Sequence, residues 1–238
     1  MSEILKIKDL WGGYTEGVDI LRGISMEVQQ GEAVGIIGLN GSGKSTFGRA
    51  IMNMIPIRRG EILFDGEDIT ALSTSQLAHR GISIMQQGGR VFPNLSVWDN
   101  LQLASHLSPP RGKSERGFNS QLAELVPLLQ CPKKELQGLM ADKLSGGQKH
   151  QLSLAMTLAT NPRLVILDEP SAGLSPKAVE EIYKMLFSIR ENLNTTIILI
   201  EQNIAKAVDF NNRCLLLKQG NIIYYSDGLK EIEIIMFN

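Results

Sequence analysis

The stretch Gly38-Leu39-Asn40-Gly41-Ser42-Gly43-Lys44-Ser45 constrains this chain more than any other. The apolar run Ala33-Val34-Gly35-Ile36-Ile37 precedes it and Thr46-Phe47-Gly48-Arg49-Ala50-Ile51-Met52 follows, so the segment reads as strand, tight turn and helix. A glycine-rich loop in that setting is a phosphate-binding P-loop. Glycines at 38, 41 and 43 let the backbone curl until successive N–H groups point inward, and the helix N-terminus adds partial positive charge. Asn40 and Thr46 belong to the same cradle. Lys44 is placed to reach the β- and γ-phosphates of a nucleotide, and the Ser45 hydroxyl to ligate Mg²⁺.

The rest of the chain supplies the elements such a loop needs. Leu5 to Leu10 alternate apolar and polar, as in a half-buried strand, and a second short strand spans Ile24 to Val28. Glu61 to Gly66 reads as a strand entering a turn, so the first third is expected to lay antiparallel strands beside a nucleotide-binding core. A short helix from Ser73 to His79 leads to a strand over 81–85. Residues 94–140 contain helical stretches, including Gln121 to Leu129, with an exposed polar loop at Ser108-Pro109-Pro110-Arg111-Gly112-Lys113. A helix from Gly146 to Thr160, a buried strand Leu164-Val165-Ile166-Leu167, a helix from Pro176 to Asn192 and a buried strand over 196–200 complete the pattern. Strands alternating with helices predict an α/β fold with a mostly parallel sheet covered on both faces.

Two further clusters carry chemistry. Asp168 and Glu169 directly follow the strand at 164–167, and in open α/β sheets the carboxyl ends of strands line the ligand crevice. Asp168 suits a Mg²⁺ shell, and Glu169 could polarise an attacking water. Leu144-Ser145-Gly146-Gly147-Gln148 opens a predicted helix, with Ser145 as N-cap and the glycines beside it forming a second anion site. His79, His106 and His150 have no metal-ligand spacing and are expected to be exposed or structural. Lys149 and His150 read as a solvated extension of that cluster, with a basic pair that feels the nucleotide as the alternative. Met52, Met54 and Met85 read as core filling.

In this order, P-loop, Leu144 to Gln148 and Leu164 to Glu169 make the chain resemble the nucleotide-binding subunit of an ABC transporter over nearly its whole length. The resemblance implies a P-loop NTPase core at 1–86 and 157–238, carrying the antiparallel strands, and a helical subdomain at 87–156 that ends in the signature motif. It implies that Gln87, rather than Gln86, binds Mg²⁺ and contacts the membrane subunit. Tyr14 falls where the family stacks an aromatic ring on adenine; a tyrosine packing its own loop is the alternative. Ser145, Gly147 and Gln148 would serve the nucleotide of a second ATPase subunit. The family usually has histidine where Ile200-Glu201-Gln202-Asn203 places Gln202, and aspartate where Ser175 stands. A glutamine donates a hydrogen bond but cannot carry a proton, so a clamp with little hydrolysis is one reading. Glu-Gln-Asn with Arg90-Val91-Phe92-Pro93 is similar instead to the LivF-type subunit of branched-chain amino-acid importers, in which the glutamine is normal.

That resemblance implies Mg²⁺ and ATP, catalysis by Lys44, Glu169 and Gln202, and a LivG-like heterodimer or a homodimer. It further implies integral membrane permease subunits, an extracytoplasmic solute-binding protein met indirectly, and a peripheral place on the cytoplasmic face of the membrane. Importers of urea or other small polar solutes use similar ATPases. Net charge of −1 argues against a broad electrostatic hold on nucleic acid. The interval from Ser45 to Ser145 leaves no room for the long coiled-coil insertion of DNA-repair relatives, and Asn-Lys-x-Asp for guanine is missing. Cys131 and Cys214 lie far apart without CxxC spacing, as expected of a reduced, intracellular protein. No apolar run approaches the ~20 residues that cross a bilayer, and no targeting pattern opens the chain, so a protein soluble by itself is expected. The apolar tail Ile232 to Phe237 could pack on the core or meet a partner.

Overall fold

A computed structural model describes residues 2–106, 136–192 and 195–226 of the chain. The expected helix at Gln121 to Leu129, the loop at 108–113, Cys131 and the tail at 232–237 lie outside the described residues.

Two sheets grip one helix. Strands β1 (Glu3–Gly12), β2 (Leu21–Gln29), β4 (Ile57–Phe64) and β5 (Glu67–Asp68) form an antiparallel sheet in the order β2-β1-β4-β5. The second sheet contains β3 (Ala33–Ile37), β6 (Ile82–Met85), β7 (Leu164–Asp168), β8 (Thr196–Glu201), β9 (Arg213–Lys218) and β10 (Asn221–Ser226). Its order is β10-β9-β3-β8-β7-β6; all pairings are parallel except β10 with β9. Among the described residues the α-helices are α1 (Lys44–Ile51), α2 (Thr74–Arg80), α3 (Val97–His106), α4 (Gly146–Ala159), α5 (Pro176–Asn192) and α6 (Ile204–Phe210).

The strand period of two divides the core. Ile166, Ile198 and Ile200 face α1 and, beyond it, the antiparallel sheet, packing with Phe47, Ile51, Ile7 and Ile62. Val165, Leu167, Ile197 and Leu199 face the other way, against α3, α4, α5 and Phe210. Because β7 and β8 are buried on both faces, they read as continuous apolar runs rather than alternating ones. Phe210 anchors the second layer through edge-on contacts with Tyr183 and Phe187, at ring-centroid distances of 6.3 and 5.3 Å.

The expected elements that fall among the described residues appear within a few residues of their predicted ends, and α5 spans the predicted limits. The chain beyond β8 adds α6, β9 and β10, which the motif-led reading passed over. The apolar run Cys214-Leu215-Leu216-Leu217 followed by Gln219-Gly220 is the signal: both turn residues have positive φ, 50° and 82°, as a tight hairpin requires. Met54 is 38% exposed rather than core filling, because Asn53, at φ 49°, ends the turn after α1 and turns the chain outward. Met52 and Met85 are buried as expected. His79 and His106 are exposed. His150 is structural, not solvated: it is 7% exposed, and its Nδ1 bonds the Gly146 carbonyl at 2.9 Å.

Candidate nucleotide site

The P-loop links β3 to α1 at the carboxyl end of the parallel sheet. Gly41 and Gly43 take φ of 78° and 105°, which side-chain-bearing residues rarely adopt, and Gly43 starts α1 without a side-chain cap. The first-turn N–H groups of α1 therefore face the loop mouth, where an anion can accept from them. Gly38 has no space for a Cβ, which would meet the Leu217 carbonyl at 2.4 Å and the Ser42 hydroxyl at 2.6 Å. Ser42 Oγ is itself buried without a hydrogen-bond partner. A tight cradle with an orphaned hydroxyl and an uncapped helix start has the donor set that a polyphosphate needs.

Lys44 lies inside this cradle. Its Nζ donates to the carbonyls of Gly38 and Leu39 at 2.8 and 3.1 Å and stands 3.7 Å from a carboxylate oxygen of Glu169. Burial lowers its pKa, opposed by the charges of Glu169, Asp168 and Glu201. Ser45 Oγ donates to Asp168 Oδ1 at 2.8 Å across the gap between α1 and β7. Burial raises the pKa of Asp168, opposed first by that Ser45 bond. Gln87, after β6, donates through Nε2 to Glu169 Oε2 at 2.8 Å. Residues 44, 45, 87, 168 and 169 thus meet in one place. Among the described residues no group of three His, Cys, Asp or Glu could hold a metal ion. A Ser hydroxyl beside a carboxylate, with an amide close by, instead suits Mg²⁺, which keeps several waters and takes the remaining oxygens from phosphates.

Glu169 has φ 48°, an uncommon conformation for a carboxylate-bearing residue, held by its N–H bond to the Ile200 carbonyl at 2.9 Å. Gln202 is exposed just past β8 and follows buried Glu201. Tyr14, in the loop between β1 and β2, is 48% exposed, and its hydroxyl accepts from Arg49 of α1 at 2.7 Å. Asn40 is exposed at the loop tip, whereas Thr46 is buried in the first turn of α1.

The predicted second anion site lies apart. Ser145 caps α4 in a capping box with Gln148: its Oγ accepts from the Gln148 N–H at 3.3 Å, and the Gln148 amide oxygen accepts from the Ser145 N–H at 2.9 Å. Ser145, Gly147 and Gln148 line a cleft of about 550 Å³ with Ser175 and Lys177, and no P-loop residue lines it. Sequence reasoning missed Arg49, Ser42 and Glu201; the last had a visible signal, a charged residue closing the apolar run Ile197-Ile198-Leu199-Ile200.

Residues 21–172 match the family model described as ABC transporter. The chain is 31% identical to the high-affinity branched-chain amino acid transport ATP-binding protein BraG of Pseudomonas aeruginosa, over 90% of this chain and 89% of that one. It is 30% identical to the probable branched-chain amino acid transport ATP-binding protein LivF of Archaeoglobus fulgidus, over 93% and 91%. It is also 30% identical to the lipopolysaccharide export system ATP-binding protein LptB of Escherichia coli, over 92% and 88%. Among solved structures, cbiO1 of Clostridium perfringens, part of an ABC transporter complex, superposes with a TM-score of 0.83 at 28% identity, covering 98% of this chain and 92% of that one. A P-loop facing an acidic strand end, on this sheet order and with these relatives, leads to one conclusion: the chain belongs to the ABC transporter family, as an ATP-binding, ATP-hydrolysing subunit.

Proposed function

We propose that this subunit drives an importer of branched-chain amino acids from the cytoplasmic face of the membrane. The observation that carries the catalytic half is the convergence of Lys44, Ser45, Gln87, Asp168 and Glu169 within direct bonding range. In this reading the P-loop amides and Lys44 bind the triphosphate, and Tyr14 presents its ring to adenine. Ser45, Asp168 and Gln87 hold Mg²⁺, which when bound neutralises phosphate charge. Glu169 orients the attacking water, and Gln202 donates a hydrogen bond toward the γ-phosphate. Phosphoryl transfer needs positioning and charge neutralisation more than covalent help, and these residues offer both.

Ser145, Gly147 and Gln148 then act on the nucleotide of a second ATPase subunit, a reading supported by their cleft having no P-loop of its own. A LivG-like partner fits the LivF-type pattern; a homodimer is the alternative outcome of the same measurement. Residues 87–156 act as a helical subdomain carrying the Gln87 segment and the signature, with α4 running unbroken across its boundary to Ala159. Among the described residues no helix is long and apolar enough to cross a membrane, so permease subunits supply the path. The solute follows from BraG and LivF together with Glu201-Gln202-Asn203 and Arg90-Val91-Phe92-Pro93.

Glu169→Gln tests the catalytic assignment. ATP binding is expected to persist while turnover falls by about 10²-fold or more, the range for loss of a general base; unchanged turnover overturns it. Copurification of a solute-binding protein that takes leucine, isoleucine or valine tests the import assignment, and a lipid-export complex in its place overturns it.

A further inference from the structure

Lys44, Asp168 and Glu169 are buried charged groups with assigned tasks; Glu201 is buried to 3% exposure and has none. It ends β8, paired with Ile37, the last residue before the P-loop. Leaving a carboxyl there is costly unless its oxygens are bonded, and both are. Oε1 accepts from Ser171 Oγ at 2.6 Å, and Oε2 accepts from the N–H groups of Gln202 and Asn203 at 3.1 and 3.5 Å. The Tyr183 hydroxyl on α5 faces the same carboxyl.

These bonds join two loops. Ser171 lies two residues past Glu169, in a turn closed by the Ala172 N–H bond to the Glu169 carbonyl at 3.1 Å. The other loop carries Gln202. The main chain already ties them once, from Glu169 N–H to the Ile200 carbonyl. A single tie leaves rotation about it; a second, a residue or two further along each chain, removes that freedom. An apolar residue at 201 would fill the space without making the second tie.

We propose that Glu201 is a positioning residue that locks the turn after Glu169 to the Gln202 loop, fixing the carboxylate and the amide relative to each other for hydrolysis. This rests on the ATPase reading, with Glu169 and Gln202 at the γ-phosphate. Misplacing a reacting group by an ångström slows the chemical step without necessarily weakening substrate binding.

The test is steady-state ATP hydrolysis by the whole chain in its assembled complex. Glu201→Ala is expected to lower kcat by about tenfold or more with KM for ATP within about twofold. Ser171→Ala should act similarly, and the double variant should be no worse than Glu201→Ala, because both remove the same tie. Glu201→Gln should recover to within about threefold, since its oxygen still accepts from the Gln202 and Asn203 N–H groups and its amide donates to Ser171. In nucleotide-free protein, amide exchange in Glu201→Ala should quicken at 171–174 and 202–203 while β8 stays protected. Unchanged kcat in Glu201→Ala, additive losses in the double variant, failure of Glu201→Gln to recover, or equal loosening of β8 each overturns the proposal. Lack of ATP turnover in the unaltered complex overturns the ATPase reading first and this role with it; turnover with an unaffected Glu201→Ala overturns this role alone.

Discussion

Gly220 lies in the β9–β10 turn, yet it supports the P-loop. Its N–H donates to the Ser42 carbonyl at 2.9 Å, and its carbonyl accepts from the Arg22 N–H at 2.9 Å. Its φ is 82°, and an added Cβ would lie 1.9 Å from the carbonyl oxygen of Ile20. Gly220→Ala therefore carries two costs. The left-handed backbone costs a residue with a Cβ about 1–2 kcal/mol. The collision is with backbone, so no rotamer change relieves it; shifting the turn adds about 1–3 kcal/mol, as in overpacked cores. Gly66 supplies the control, since its φ is 79° and nothing lies within 4 Å of its added Cβ. Gly66→Ala should lose only the first cost. The expected difference between the variants is about 2 kcal/mol, or roughly 4–8 °C in Tm for a domain of this size. Thermal unfolding of both variants measures it, and nucleotide titration measures the second consequence. Displacing the turn strains its bond to Ser42, so ATP affinity should fall about three- to tenfold in Gly220→Ala and hold in Gly66→Ala. Equal Tm losses, or equal ATP affinities, would refute the claim that this turn buttresses the phosphate loop.

Asn100 on α3 is fully buried and braces the segment after Gln87: its Oδ1 accepts from the Phe92 N–H at 2.8 Å, and its Nδ2 donates to the carbonyls of Phe92 and Ser96 at 3.0 and 2.9 Å. Asn100→Ala strands these groups and should cost about 2–3 kcal/mol in urea unfolding; a loss within the scatter of surface substitutions would contradict the bracing role. Burial raises the pKa of Glu201 above its ordinary 4.5, opposed by bonds from Ser171 and from the Asn203 and Gln202 backbone, with Lys44 and Tyr183 the titratable groups facing it. A carboxyl raised in the folded state contributes its stability below the ordinary carboxylate range and loses it as pH rises through the folded value. Glu201→Gln should therefore gain stability relative to the unaltered protein as pH rises above about 4.5; a Tm difference that does not change with pH would contradict this.

The sequence by itself determined what short-range forces determine. Glycines at 41 and 43 permit the P-loop turn, Ser145 caps a helix, and the apolar runs at 164–167 and 197–200 demand strands buried on both faces. Each is a matter of backbone sterics or of periodicity within a few residues, and each was legible, as was the order of motifs that marks the family. The strand order that places β8 between β3 and β7 was decided only in three dimensions. So were the bonds from Ser45 to Asp168, from Gln87 to Glu169 and from Ser171 to Glu201. The partners in these bonds are far apart along the chain, and no local pattern sets their distance. They meet because parallel pairing aligns the carboxyl ends of the strands, and because burial on both faces leaves each strand end one place to put its polar groups.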